Sequence, residues 1–497
     1  MDPPTMLAAL FLLQLFRCSY AAEQDFYVYP TILQERTRSG NLILRLTNNL
    51  TLSLEKSSVL ADKLLLVTSS REGHRTDTVD TSAIQEVLYQ DVHHQSSLVL
   101  RQREGVVQVE GIINHELRIK PLPQDERSLQ DRILHKIYKV EEIKGTYMNM
   151  EPMLSQVYQR SDGPFQRKRT DRRNPDSHHS RRDQEEERTG QPEKFTVELH
   201  TISDSVHQKE FKTNEELIAY LAVMTNAVNL RYLDMKNPRI SFILVGLTRS
   251  KDDPFVSHKG GYLYAAGTLS GMEAYNKEGK IPGNPDLVYL VTGQDVARDK
   301  EGGGGMDPGV SGIGRIGGIC SKSFVGAGED IAKTYKGTRT MAHELAHILG
   351  AVHDNKRPKV PECAWSQGYL MSYVDGGLKN YRLSPCSQDM IRAMFKKLKP
   401  ECIEVKAKHN YQKDHRKFPG QTLRQEFYCR SIWKLKKHDQ TKVIVRKDPL
   451  LTKKCKMECC RIAFGRATCR VVIIPAGMEC ARGKTCKRGV CGVHTWE

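Results

Sequence analysis

Apolar and polar residues alternate along the first third of the chain. Asn41-Leu42-Ile43-Leu44-Arg45-Leu46 and Leu98-Val99-Leu100 read as half-buried strands, and Gly105 to Ile119 (GVVQVEGIINHELRI) as two short strands around a turn. The pattern changes from Lys194. Phe195 to Ile202 alternates like a strand, and Asn214 to Tyr232 (NEELIAYLAVMTNAVNLRY) carries apolar residues at helical spacing with Asn214 as its expected cap. Ile240 to Leu247 (ISFILVGL) and Asp286 to Thr292 (DLVYLVT) are near-continuous apolar runs, as strands buried on both faces are. Strand, helix, strand, strand and a further helix predict an α/β unit, a mixed sheet covered by helices. Between the two patterned regions, residues 161–193 lose nearly all apolar character and cannot bury enough surface to fold. This linker holds the basic clusters Arg167-Lys168-Arg169 and Arg172-Arg173, which read either as a processing site that releases the preceding segment or as part of an intact tether.

The chain's first apolar run, Met6 to Phe16, is too short to span a bilayer. The small residues Ser19 to Ala22 follow it, the pattern of a signal peptide cut after Ala21 or Ala22; the alternative is a buried element opening the mature chain. The run departs from the usual pattern in carrying Asp2 and no Lys or Arg among its first five residues. No later run approaches membrane-spanning length, so no anchor is expected. Cysteine usage agrees with export: of 13 cysteines, Cys18 lies in the leader, four fall between Cys320 and Cys402, and eight crowd into Cys429 to Cys491. Asn49-Leu50-Thr51 is a glycan acceptor sequence. Of the net charge of +17, residues 403–497 supply +15, from 23 Lys and Arg against 8 Asp and Glu. Such a tail suits acidic partners, and in an exported protein sulfated glycans or anionic protein surfaces fit better than nucleic acid.

The chemistry concentrates in Met341 to Asp354, MAHELAHILGAVHD. His343 and His347 are four apart and share one helix face, so both can reach one ion. Glu344 can reach the space beside that ion. Gly350 permits the left-handed turn that ends a helix and brings His353 back to the same point. Three ligands leave a fourth position for water, which a catalytic zinc needs, with Glu344 as general base. A structural zinc site fits less well, because such sites are closed by four protein ligands.

This pattern resembles that of the metzincin metalloproteases, completed by a methionine turn at Tyr369-Leu370-Met371-Ser372-Tyr373. Asp354 after the third His, Gly317-Gly318-Ile319-Cys320-Ser321 and Ser384-Pro385-Cys386-Ser387 are similar to the reprolysin (adamalysin) branch over about 194–402. The resemblance implies one catalytic Zn2+ on His343, His347 and His353, with Met371 as an apolar floor beneath it. It implies disulfides Cys320–Cys402 and Cys363–Cys386, a substrate-pairing sheet edge at Gly314 to Ile319, and a specificity pocket walled by 372–383. The tail looks like the cysteine-rich module of ADAM proteases with thrombospondin motifs, and the layout is similar to secreted salivary metalloproteases of ticks. Two departures stand out. No cysteine lies between Cys18 and Cys320, so a propeptide cysteine cannot cap the metal, and the tryptophan motif of a thrombospondin repeat is missing.

The expected organisation is a signal peptide (1–22), a β-rich propeptide (23–169), a charged linker (170–193), a metzincin-type α/β protease domain (194–402) and a small basic disulfide-rich module (403–497). The expected function is a secreted monomeric zinc endopeptidase acting on extracellular proteins such as fibrinogen, fibrin or matrix proteins. The alternative is a binding protein that works through its tail on heparin-like glycans or fibrin. Eight tail cysteines leave 105 disulfide pairings open.

Overall fold

The computed structural model describes residues 25–33, 41–70, 73–123, 132–140, 192–300, 302–355, 360–408, 418–436 and 438–494. The expected signal peptide and the basic clusters of the linker lie outside them.

The N-terminal alternation forms eleven strands: β1 (Phe26–Val28), β2 (Thr31–Leu33), β3 (Leu42–Arg45), β4 (Thr51–Lys56), β5 (Leu60–Ser70), β6 (Gly73–Asp80), β7 (Leu88–Asp91), β8 (Ser96–Arg103), β9 (Val106–Ile112), β10 (Leu117–Pro121) and β11 (His135–Lys139). Nine of them make one sheet in the order β1-β11-β10-β9-β8-β7-β4-β3-β2. The other two, β5 and β6, leave it for the sheet of the following region.

That second sheet contains β12 (Lys194–Ser203), β13 (Arg239–Ser250), β14 (Leu287–Thr292), β15 (Gly312–Gly314) and β16 (Val325–Glu329). Its order is β15-β16-β14-β12-β13-β5-β6. Strands β16, β14, β12, β13 and β5 run parallel, while β15 and β6 are antiparallel edges. All six residues of β14 are buried, which explains the unbroken apolar run there. The edge strand is shorter than expected and lies earlier: Gly314 closes it, and 315–319 turn away. Gly317 takes a left-handed φ of +67°, and a Cβ on Gly318 would stand 2.1 Å from the Ser323 carbonyl oxygen, so the chain bends there instead of extending.

Helix α1 (Asn214–Arg231) starts one residue away from the expected cap. Thr213, in extended conformation, accepts the Glu216 amide on its hydroxyl at 3.1 Å, so Asn214 is already helical. Fourteen of the 18 residues of α1 are buried, on every side of the helix. It packs on β13 of the second sheet and on β7, β8 and β9 of the first, so it lies between the two. Val59, Leu60, Leu64, Leu66, Ile84, Leu88, Val99 and Ile112 of the N-terminal region therefore share one core with β12, β13 and α1. Each such side chain is worth roughly 1.5–3 kcal/mol when fully buried. Inside the contact, Asn226 Oδ1 accepts the Ser57 hydroxyl at 2.8 Å, and Asn226 Nδ2 donates to Ser97 Oγ at 3.1 Å.

At the C-terminal end, the helix Gln425–Ile432 covers a three-stranded antiparallel sheet of β17 (Lys442–Arg446), β18 (Lys456–Ala463) and β19 (Arg466–Ile473). Four disulfides resolve the pairing left open by sequence: Cys429–Cys459, Cys455–Cys486, Cys460–Cys469 and Cys480–Cys491. The small core around Tyr428, Ile432, Trp433 and Met457 is completed by Leu33 and Ile43 of the N-terminal sheet. Asn49 is exposed in the turn after β3.

Asn226→Ala should lower stability by about 1–3 kcal/mol, because it strands the Ser57 hydroxyl in a dry contact. The urea midpoint of the purified protein measures it, and an unchanged midpoint would show the polar tie to be neutral.

Candidate metal centre

The chain enters the site through helix α2 (Thr338–Ile348), which is buried along its whole length. His343 and His347 lie one turn apart on it. The helix ends at Leu349, and Gly350 adopts φ +101°, where its amide reaches the His347 carbonyl at 2.8 Å. A Cβ at Gly350 would stand 2.9 Å from Met394 Cβ, so the turn needs glycine for space as well as for φ. Three residues later His353 comes back to the helix.

The three imidazoles converge through Nε2. His353 Nε2 lies 3.0 Å from His343 Nε2 and 3.1 Å from His347 Nε2. Each Nδ1 is held from elsewhere: His343 Nδ1 donates to the Leu370 carbonyl at 2.8 Å, His347 Nδ1 donates to the Ala351 carbonyl at 2.8 Å, and His353 Nδ1 meets the Tyr373 hydroxyl at 2.7 Å. The two carbonyl contacts leave the Nε2 lone pairs of His343 and His347 facing inward. Burial holds His347 down at about 4, and burial with the neighbouring imidazoles holds His343 and His353 well below their ordinary range. The rings are therefore neutral, the form that binds metal. Converging lone pairs repel unless a cation sits between them, and the spacing is close to the roughly 3.3 Å edge of a tetrahedron with bonds of about 2.0–2.1 Å. The donor set fits one ion, and three nitrogens would leave a tetrahedral ion one further position.

Glu344, next to His343 on α2, is buried. Burial pushes its carboxyl up to about 8, with Arg339 acting against that; a divalent cation nearby would draw it further down. Strand β15 can approach it because its two residues on that side, Gly312 and Gly314, lack side chains: a Cβ on Gly312 would stand 2.9 Å from Glu344 Cγ, and one on Gly314 would stand 2.7 Å from the Glu344 carbonyl oxygen.

Met371 is fully buried, and the carbonyls around it carry the structural burden. Leu370 holds His343, and the Met371 carbonyl accepts the Asp354 amide at 2.9 Å. Asp354 Oδ1 in turn accepts the hydroxyls of Ser384 at 2.6 Å and Ser387 at 3.3 Å, which ties the third ligand's loop to the start of helix α3 (Pro385–Phe395). Burial pushes the Asp354 carboxyl up to about 6. The structure pairs Cys320 with Cys402 and Cys363 with Cys386.

Several positioning residues escape sequence reasoning. Arg339, buried, donates to Asn380 Oδ1 at 2.9 Å and reaches the carbonyls of Leu370 and Ser372 at 3.4 Å, so it binds the methionine turn to α2. The Tyr232 hydroxyl donates to the Ala342 carbonyl at 2.8 Å. Asp330 accepts the Gly337 amide at 2.7 Å, where α2 begins, and the Tyr220 hydroxyl of α1 at 2.6 Å. None of these has a local signal; the alternating glycines of β15 were the one pattern available.

Residues 298–397 match the family model described as the reprolysin-like metallo-peptidases of family M12B. Over 420 residues the chain is 23% identical to the venom metalloproteinase antarease TserMP_A of Tityus serrulatus, a similarity that covers 80% of this chain and 97% of that protein. It is 25% identical over 398 residues to a Bombyx mori protein described as a disintegrin and metalloproteinase with thrombospondin motifs like, covering 69% of this chain and 56% of that one. A shorter stretch of 172 residues is 30% identical to venom metalloproteinase 3 of Eulophus pennicornis, covering 32% of this chain and 40% of that protein.

Glu344→Gln should keep one zinc per chain by elemental analysis yet lose roughly 10²–10⁴ in kcat/KM on a peptide substrate. His353→Ala should lose the metal itself. A Glu344→Gln protein of undiminished activity would remove Glu344 from the chemistry.

Proposed function

We propose that this chain, a zinc metalloendopeptidase of the reprolysin type, is exported and hydrolyses peptide bonds of extracellular proteins with Glu344 as its general base. The observation that carries this is the convergence of three imidazole nitrogens, with His353 Nε2 3.0 and 3.1 Å from the other two, at a helix whose Glu344, following His343 in the chain, is buried. His343, His347 and His353 would hold the zinc, which when bound supplies a Lewis acid and a water of lowered pKa. Glu344 takes the proton of the attacking water and returns it to the leaving amine. Strand β15 offers a free sheet edge on which an extended substrate can pair as an added strand, in register with the site. Met371, Asp354 and Arg339 keep the ligand loop and the helix at fixed distance. The absence of cysteine between Cys18 and Cys320 means that latency, if the enzyme has it, comes from contacts other than a thiolate on the metal.

Export is supported by the leader-like N-terminus, the six disulfides and the venom proteins among the relatives. Fibrinogen, fibrin and matrix proteins are the substrate class that fits. The purified protein should cleave gelatin or fibrinogen, stop with a chelator such as phenanthroline, and recover with added zinc. Cleavage insensitive to chelation would exclude a metal mechanism.

A second, additional role falls to the C-terminal module. It carries most of the net charge, and Phe464 stands fully exposed at the turn between β18 and β19. This suits docking on sulfated glycans or fibrin, which would hold the protease near its substrate. The whole protein should bind heparin at low salt and elute as ionic strength rises; passage through a heparin column at low salt would remove this role.

A further inference from the structure

We propose that the N-terminal segment, the expected propeptide, is a permanent part of the folded enzyme and stays bound to residues 192–494 after the linker is cut. Its occupancy is not a surface contact. Strand β5 pairs in parallel with β13 from Leu65↔Gly246 to Ser69↔Ser250 and closes what would otherwise be a twelve-residue edge strand. The Val59 carbonyl accepts the Leu244 amide at 2.8 Å, and the Ser69 carbonyl accepts the Lys251 amide at 2.9 Å. An open apolar edge of this length is an invitation to pair with another chain.

The second observation is independent of that edge. Helix α1 is buried on all sides, and β7, β8 and β9 supply the cover that β13 cannot. Removing them would expose an apolar helix face and take away the Ser97 hydroxyl that donates to the Val223 carbonyl at 2.8 Å and accepts the Asn226 side-chain amide at 3.1 Å. A third contact lies on the far side. Leu33 and Ile43 sit in the core of the C-terminal module, and Arg45 donates to the Ser431 carbonyl at 2.7 Å. One segment thus completes two cores that follow it in sequence.

The pairing that holds the segment lies away from β15, and its approach to the 372–383 stretch is through His115, whose ring meets Tyr381 with centroids 5.6 Å apart. Strand β5 is five strand spacings from β15, roughly 24 Å along the sheet, so the β5–β6 hairpin leaves the substrate edge clear. Cutting the linker would then give a two-chain enzyme, with the N-terminal chain as scaffold.

The test is a full-length protein with a site-specific protease sequence inserted after Arg173 and an affinity tag at the C-terminus. The purified protein is cut and passed over a sizing column with light scattering, at low salt and at about 1 M salt, where ionic contacts are screened. The expected result is one peak at the mass of the uncut protein in both, holding both fragments, which separate only in denaturant. An N-terminal fragment that elutes alone in native buffer overturns the proposal, whatever the state of the remainder. The readout is mass and not activity, so its failure is distinct from failure of the zinc mechanism.

Discussion

Fourteen of the eighteen residues of α1 are buried, so this helix needs an apolar surface on every side. The sheet of the 192–355 region supplies one surface, and the N-terminal strands supply the other. The rest of the architecture follows from that sandwich. It makes one core of two stretches of chain separated by the long charged linker, and it puts Tyr220, in the second turn of α1, against Asp330 and Tyr232, at its end, against the Ala342 carbonyl next to His343.

The metal centre depends on the same rigidity. Helix α2 is held at its start by Asp330, along its middle by Tyr232 and laterally by Arg339. The two helical histidines therefore have little freedom, and the loop after Gly350 has to bring the third to them. It is fastened on both sides, by the Asp354 contacts to Ser384 and Met371 and by Tyr373 on His353. These contacts fix the three imidazoles with their Nε2 atoms turned to one point.

The C-terminal module solves a different problem. Fewer than a hundred residues, rich in Lys and Arg, cannot bury a large core, and four disulfides with a few aromatic and aliphatic side chains stand in for one. The N-terminal strands β2 and β3 add apolar residues to that core. The described Lys and Arg side chains of the module are exposed or half-buried.

His343, Glu344, His347, Gly350 and His353 were legible because their spacing is local. A helix repeat and a glycine turn bring them together whatever surrounds them, and the alternating and unbroken apolar runs mark strands for the same reason. The sequence by itself therefore determined that these three histidines can meet at one point, the α/β character of the region from Lys194 and the strand-rich character of the first third. Only the tertiary structure decided that β5 and β6 belong to the sheet of the following region, that the edge strand β15 ends at Gly314, and which of 105 pairings the tail adopts. Strand pairing and disulfide partnership are contacts between residues far apart in the chain, and alternation shows that a strand has two faces without showing its neighbour. Arg339, Asp330 and Tyr232 escaped for the same reason: each acts on a carbonyl or amide that the fold, and no local pattern, brings within 3 Å or so.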